Sequence, residues 1–280
     1  MSKDKTQSGR IRQGGVFLLP NLLTTGALFA GFYSIISGIN GDYIASAVAV
    51  VVAGVLDGLD GRVARLTNTQ SDFGVQYDSL CDLVSFGLAP ALLAFNWSLK
   101  GLSEYGVVAG KLGWLAAFVY MACAALRLAR FNTQADSGDK NWFQGLASPA
   151  AAGTLVTTIW FWVDNGFSGA AMQWLILPLT IMLGLLMFSR VRYFSFKSWS
   201  LAERVPVAWI FAAVLILVLL AVDPPTVFMT LGFIYVTSGL VITVIGRRNW
   251  KSRRARRLAK RLKPGNAENQ PGDAPPEENT

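Results

Sequence analysis

Four aspartates with helical spacing are the residues of this sequence best suited to chemistry. Asp57 and Asp60 are three positions apart and Asp78 and Asp82 are four apart, so each pair shares one face of a helix. Both pairs lie at the ends of apolar segments, and an aspartate at the centre of a membrane helix costs roughly 2.5–3.5 kcal/mol. We therefore expect the four carboxylates to face a common polar cavity or a cation.

The order of the segments brings the two pairs together. Residues 61–74 connect the two helices and fold the second back beside the first. Carboxylates without histidine or cysteine form an all-oxygen site, which favours Mg²⁺ or Mn²⁺, and four of them suffice for two ions. The simpler alternative is a cluster of paired charges at the membrane surface, in which Arg62 and Arg65 neutralise some of the aspartates.

The absence of histidine narrows the chemistry further. The 280 residues include no histidine and two cysteines, Cys81 and Cys123, both inside apolar segments. Serine–histidine triads, zinc–imidazole sites and histidine-ligated haem are therefore excluded, and a disulfide framework is not expected. A proton transfer must use a carboxylate, a lysine, a tyrosine or bound water.

The elements that position these residues are membrane helices. The chain is 52% hydrophobic and 15% charged, whereas soluble domains average about 25% charged residues. This composition excludes a soluble enzyme, a disordered protein and a nucleic-acid binder, despite the net charge of +8. We expect an all-α, polytopic integral membrane bundle, because the apolar blocks match a hydrocarbon core of roughly 30 Å. The eight predicted helices cover approximately residues 16–38, 43–60, 79–98, 106–126, 147–164, 170–188, 205–222 and 226–246.

Basic residues are distributed unevenly around these eight spans. With the N-terminus in the cytoplasm, all 25 lysines and arginines except Lys100 and Lys111 fall on the cytoplasmic side. Positive charge is retained there, so we expect both termini in the cytoplasm. Residues 247–263 are basic and are expected to anchor the chain on an anionic leaflet. Residues 264–280 are rich in Pro, Asn and Glu and are expected to be disordered.

Written with its fixed positions, the segment 57–82 reads Asp57-x2-Asp60-Gly61-x2-Ala64-Arg65-x8-Gly74-x3-Asp78-x3-Asp82. This segment resembles the signature of the CDP-alcohol phosphotransferase family at all eight positions. Members of that family are integral membrane enzymes that use a divalent metal and a second alcohol to displace CMP from a CDP-linked alcohol. The resemblance implies a six-helix family core, followed here by two further helices.

Weaker segments extend the resemblance to about residues 14–200 and to one branch of the family, the bacterial membrane-embedded phosphatidylserine synthases. These segments are Pro20–Thr24, Arg127–Asn132, Phe143–Pro149 and Ser189–Lys197. Ala147 stands where the branch is expected to have proline. The resemblance implies transfer of the phosphatidyl group from CDP-diacylglycerol to the hydroxyl of L-serine, with release of CMP.

The resemblance also implies roles for individual residues. Asp57, Asp60, Asp78 and Asp82 would hold the metal ions, and Asp82 would also be the general base. The implied CDP-binding positions are Asn21, Thr24, Gly61, Ala64, Arg65 and Gly74. The candidates for binding serine or lipid phosphate are Arg127, Arg130, Asn132, Arg192, Tyr193 and Lys197. The basic residues of this last group are equally expected as cytoplasmic anchors of their helices.

The domain organisation follows from the same segments. We expect a polar cytoplasmic N-terminus at residues 1–15, the family core at 16–200 and additional transmembrane helices at 201–246, followed by the basic segment and the disordered tail. The expected location is a bacterial inner membrane with a cytoplasmic active site. Expected partners are CDP-diacylglycerol, L-serine and membrane lipids, and the resemblance implies a homodimer.

Two other functions remain open. A sister transferase would use glycerol 3-phosphate, inositol phosphate or choline as its acceptor, and the basic residues are numerous enough to allow a phosphorylated one. An ion-coupled transporter would also contain intramembrane carboxylates, but it should continue polar residues across the bilayer. Here no acidic residue falls between positions 5 and 41 or between 83 and 103.

Overall fold

The computed structural model describes residues 4–67, 71–134, 142–189, 191–194 and 207–261, and this part of the chain forms a bundle of long helices. A π-helical segment, Leu83–Leu88, joins α3 to α4 without a break, and a 3₁₀ helix, Leu99–Tyr105, precedes α5. The helices are α1 (Asp4–Ile39), α2 (Tyr43–Thr67), α3 (Asp72–Asp82), α4 (Ala89–Trp97), α5 (Val107–Gln134), α6 (Ser148–Asp164), α7 (Gly169–Phe188), α8 (Val207–Val222) and α9 (Pro224–Arg261).

The helices confirm the predicted membrane bundle. Within the described residues, six helical stretches are long and apolar enough to cross a membrane. They are Pro20–Ile39, Tyr43–Thr67, Asp72–Trp97, Val107–Thr133, Gly169–Phe188 and Pro224–Thr243. Since α6 and α8 have only 17 and 16 residues, eight spans remain a prediction.

The first and last helices of the chain extend beyond their apolar segments. The first helix was expected to begin at residue 16 and starts at Asp4, and the last was expected to end at residue 246 and continues to Arg261. Lysine and arginine are good helix formers, so a helix does not end where its residues become polar. The basic segment is therefore helical to Arg261, and the predicted disordered tail lies outside the described residues.

The third helix begins earlier than expected because its start is polar. It was expected at residue 79 and begins at Asp72, directly after Ser71. The Ser71 side chain accepts a hydrogen bond from the Gly74 amide at 3.1 Å, which is the usual capping arrangement. Asp78 consequently lies inside the helix, two turns from its beginning.

Small residues and short hydrogen bonds hold α1 against its neighbours. The Ser46 hydroxyl of α2 donates to the Ser34 carbonyl at 2.8 Å, and both serines are fully buried. The Ser85 hydroxyl of the π-helical segment donates to the Ala27 carbonyl at 3.0 Å. A Cβ atom at Gly31 would lie only 2.8 Å from the Ser85 Cα. Close backbone contact through small residues is typical of membrane helices.

The π-helical segment begins directly after Asp82, and its hydrogen-bonded turns contain one residue more than those of an α-helix. It is held on its other side by the Tyr120 hydroxyl, which donates to the Phe86 carbonyl at 3.2 Å. An extra residue rotates everything before it by about 100° relative to everything after it. The segment thus sets the direction in which Asp78 and Asp82 point relative to the packed face of α4.

A two-stranded antiparallel ribbon, which the all-α expectation did not include, closes the base of the α6–α7 hairpin. It consists of β1 (Trp142–Gln144) and β2 (Arg192–Phe194), with Phe143 opposite Tyr193. The Gly145 amide continues it by donating to the Val191 carbonyl at 2.8 Å. The ribbon thereby joins two segments of the family resemblance, the one before α6 and the one after α7.

Gly145 supports a test of this ribbon. It has a φ of +86°, and a Cβ atom there would collide with the Met187 carbonyl oxygen. Gly166 has a similar φ of +76°, with nothing within 4 Å of its Cβ position. We expect Gly145→Ala to lower stability by about 1–3 kcal/mol more than Gly166→Ala. Thermal unfolding of the purified variants in detergent measures both, and equal effects would mean that only backbone strain matters.

Candidate active site

Three aspartates converge where α2 and α3 face each other. Asp57 and Asp60 occupy the C-terminal part of α2 and Asp78 lies on α3, and carboxylate oxygens of the three lie within 4.8 Å of one another. Asp60 is 5% exposed, while Asp57 and Asp78 are partly exposed. The fold therefore places both helical faces against a common space, as the spacing indicates.

Asp82 adjoins this group from the end of α3. Its carboxyl group interacts with those of Asp57 and Asp78. Two carboxylates this close repel each other unless they share a proton or a cation lies beside them. All four aspartates of the sequence pattern thus form one cluster in the structure.

The first helix contributes a neutral donor to the cluster. The Thr24 hydroxyl lies 2.7 Å from Asp60 Oδ2 and 3.0 Å from the Pro20 carbonyl oxygen. A hydroxyl has one proton, and the shorter distance and the charged acceptor favour Asp60. Thr24, predicted to approach CDP, therefore orients an aspartate of the cluster.

The cluster fits a hard divalent cation. Its donors are oxygen atoms only, as Mg²⁺ and Mn²⁺ prefer. Among the lysines and arginines whose side chains the structure describes, none forms an ion pair within 4.0 Å of these carboxylates. Arg62 and Arg65, which the paired-charge alternative requires, have exposed side chains. The geometry thus supports the cation over the paired charges.

Small residues keep space around the cluster at the same ends of the helices. A Cβ atom at Gly61 would lie 3.7 Å from Arg65 Nη1, and one at Gly74 would lie 3.2 Å from Ser71 Oγ and 3.7 Å from Asn21 Oδ1. Ala64 is half-buried on the same helix as Gly61. The positions predicted for CDP thus lie beside the aspartates, and their role remains a prediction.

The structure separates the two arginines of α5. Arg130 Nη1 donates to the Phe188 carbonyl at 3.0 Å, and its guanidinium lies 4.1 Å from the centre of the Phe188 ring. It therefore caps α7. The Arg127 Nη1 donates to Ser148 at the start of α6, and the arginine is near enough to the cluster to interact electrostatically with Asp82 and Asp57.

Asn132 connects the end of α5 to α3. Its Nδ2 donates to the Ser79 hydroxyl at 3.0 Å, and Ser79 in turn donates to the Val75 carbonyl at 3.0 Å. Ser79 follows Asp78 in the chain, so this bond holds the part of α3 that carries the aspartate. Asn132 thus has a structural contact at the position where serine binding was predicted.

The remaining candidates for binding serine or lipid phosphate lie on β2 or outside the described residues. Tyr193 is fully buried, and its hydroxyl donates to the Val236 carbonyl of α9 at 3.4 Å. In this structure, therefore, the Tyr193 side chain packs against other parts of the protein and has no exposed surface. Arg192 pairs with Gln144 in the ribbon, and Lys197 lies outside the described residues.

Two residues near the cluster were missed by the sequence analysis. Ser148 belongs to the Phe143–Pro149 segment, which predicts no separate role for it, and its hydroxyl accepts a hydrogen bond from Arg127. Tyr235 on α9 lies in the electrostatic surroundings of Arg127. Its ring packs against that of Tyr193 at a tilt of 34°, with the ring centroids 5.4 Å apart. No local pattern marks Tyr235, because it lies in an apolar helix far along the chain.

Comparison with known proteins agrees with this arrangement. The CDP-alcohol phosphatidyltransferase family matches residues 17–186. The CDP-diacylglycerol–serine O-phosphatidyltransferase of Helicobacter pylori is 36% identical over 226 residues, which are 79% of this chain and 90% of that protein. The protein of the same name from Methanocaldococcus jannaschii is 37% identical over 161 residues, 57% of this chain and 69% of its own. The archaetidylserine synthase of Methanothermobacter thermautotrophicus is 32% identical over 177 residues, 62% of this chain and 69% of its own.

The matched region contains the four aspartates, Thr24 and Arg127, and it ends before α8 and α9. Its helices form a membrane bundle, and the predicted signature coincides with the acidic cluster. This chain is an integral membrane protein that belongs to the CDP-alcohol phosphatidyltransferase family.

Proposed function

We propose that this protein is a phosphatidylserine synthase, which transfers the phosphatidyl group of CDP-diacylglycerol to the hydroxyl of L-serine and releases CMP in phospholipid biosynthesis. The observation that carries the proposal is the acidic cluster of α2 and α3, with Arg127 in its electrostatic surroundings, within a chain whose relatives bear that name. The arginine supplies what a serine acceptor needs, since a carboxylate is bound by a guanidinium fork.

The cluster would hold Mg²⁺ or Mn²⁺, and we propose two ions. The ligands would be Asp57, Asp60, Asp78 and Asp82, three of which already lie within 4.8 Å of one another. Bound there, the metal would neutralise charge on the diphosphate of the substrate. Asn21, Gly61, Ala64, Arg65 and Gly74 would form the nucleotide side of the site, where the small residues leave room.

Asp82 would act as the general base, because the chain has no histidine and this carboxylate interacts electrostatically with both the aspartates and Arg127. It would take the proton of the serine hydroxyl as that oxygen attacks the phosphorus that bears the diacylglycerol. The new oxygen–phosphorus bond replaces the bond to CMP, which leaves with the electron pair. Arg127 would hold the serine carboxylate, while Arg130 caps α7.

The distribution of the basic residues supports a proposal for the orientation of the site in the membrane. We propose that the site opens to the cytoplasm of a bacterium and that the protein lies in the inner membrane, with both termini cytoplasmic and residues 16–200 as the catalytic core. Residues 201–246 would add helices to that core, and the basic segment would contact anionic lipid. A homodimer, implied by the family, is part of the same proposal.

The acceptor is tested with a substrate panel. Purified protein with CDP-diacylglycerol and Mg²⁺ or Mn²⁺ should release CMP with L-serine and not without metal. Glycerol 3-phosphate, inositol phosphate and choline serve as competing acceptors. Release of CMP with one of these instead of serine would contradict the serine assignment while leaving the family intact.

Asp78→Asn tests the cluster. It removes one anionic ligand with little change of volume, so CMP release should fall by at least about 100-fold and Mn²⁺ affinity by about tenfold or more. Electron paramagnetic resonance of bound Mn²⁺ and thermal unfolding provide readouts besides activity. Asp72→Asn on the exposed first turn of the same helix is the matched control. Near-normal turnover in Asp78→Asn would refute the site.

Thr24→Val tests the support of Asp60 by α1. It keeps the shape of the side chain and removes the donor 2.7 Å from Asp60, so Mn²⁺ affinity should fall about tenfold. Thr158→Val is the matched control, because Thr158 is equally buried and its hydroxyl bonds only the Thr154 carbonyl. Equal Mn²⁺ affinity in both variants would show that Thr24 does not orient the ligand.

A further inference from the structure

The two residues that flank Asp78 in α3 each bond a different neighbouring helix. On the N-terminal side, the Tyr77 hydroxyl lies 2.9 Å from the Thr25 hydroxyl of α1. A hydroxyl has one proton, and Thr25 donates its proton to the Asn21 carbonyl at 2.7 Å, so Tyr77 is the donor to Thr25. The Tyr77 ring also stacks on that of Phe73, with the ring centroids 5.9 Å apart and the planes at 7°. Tyr77 therefore connects α3 to α1.

On the C-terminal side of the aspartate, Ser79 connects α3 to α5. Asn132 Nδ2 donates to the Ser79 hydroxyl oxygen at 3.0 Å, and that hydroxyl donates its own proton to the Val75 carbonyl at 3.0 Å. Both side chains are half-buried, and a hydrogen bond that is shielded from water is stronger than one on the surface. The helix that carries the aspartate is thus bonded directly to the helix that carries Arg127.

These two bonds leave α3 on nearly opposite sides. Successive residues of an α-helix are about 100° apart, so Tyr77 and Ser79 point about 200° apart and Asp78 lies midway between them. Rotation of α3 about its axis would therefore stretch both bonds. That rotation decides whether the Asp78 carboxylate faces Asp57 and Asp60, whose oxygens lie within 4.8 Å of it. The flanking bonds thus hold the metal-binding face of α3 towards α2.

The position of Asn132 on α5 favours this role over contact with the acceptor. The helix continues to Gln134, so Asn132 lies five residues, or about 140° around the helix, from Arg127. Arg127 bonds Ser148 at the start of α6, whereas Asn132 bonds α3. The two side chains therefore contact different neighbouring helices.

We propose that Asn132 and Ser79 are positioning residues for Asp78: their hydrogen bond holds the carboxylate in the direction that binding of a divalent cation requires. The bond between Tyr77 and Thr25 holds the opposite side of the helix. This inference rests on the proposed function, from which it takes the metal site. It assigns Asn132 to the metal side of the site, and it predicts weaker metal binding with unchanged acceptor binding when the bond is lost.

Ser79→Ala and Asn132→Ala test the proposal, since each removes one partner of the bond. In the purified full-length protein without substrates, the Kd for Mn²⁺ measured by electron paramagnetic resonance should rise about three- to tenfold. The KM for serine at saturating Mn²⁺ should remain near that of the parent protein. Ser238→Ala is the matched control, because its half-buried hydroxyl bonds the Tyr235 carbonyl of its own helix at 2.7 Å, and it should leave both constants unchanged.

The double variant tests whether the two residues act through their shared bond. Its Kd for Mn²⁺ should be close to that of either single variant, because the same bond can be lost only once. Effects that multiply in the double variant, an unchanged Kd in both single variants, or a raised KM for serine with parent Mn²⁺ affinity would each overturn the positioning role. Parent protein that releases CMP with another acceptor instead of serine would overturn the serine assignment without changing the Mn²⁺ result, so the two failures are distinguishable.

Discussion

Mutual repulsion among four carboxylates in apolar surroundings is the constraint on which the rest of this structure depends. A carboxylate in contact with lipid is expensive, and a second one beside it adds repulsion. The helices respond by turning all four towards one space, where a single cation can offset several charges at once. The donor from Thr24 and the field of Arg127 act in the same direction, so the surrounding helices stabilise an arrangement that would otherwise separate.

The helices that contribute residues to the site form two groups, one on each side of it. On one side, α1, α2 and α3 contribute the carboxylates, a threonine and small residues, which suit a metal and a nucleotide. On the other side, α5 and α6 contribute Arg127 and Ser148, and the guanidinium suits the carboxylate of the proposed acceptor. The two sides meet at Asp82, the residue that must touch both reactants if it transfers the proton.

Much of the metal side could be predicted from the sequence, because helical periodicity converts spacing into a common face. Asp57 and Asp60 need only a regular helix to lie together. The acceptor side could not be predicted in this way. Arg127 and Arg130 have equivalent local patterns, and only the position of α7 decides that one caps a helix. Tyr235 depends on contacts between distant segments, and neither the π-helical segment nor the ribbon produces a hydropathy signal.

The ribbon of β1 and β2 also has a mechanical consequence. α6 and α7 are joined by the short turn of residues 165–168 at one end, and at the other by the ribbon and the bond from the Leu146 amide to the Leu186 carbonyl. These connections at both ends oppose movement of one helix along the other, because a shift of one turn, about 5.4 Å, would break every bond of the ribbon. Any rearrangement of the bundle would therefore be expected where other helices meet, and not within this hairpin.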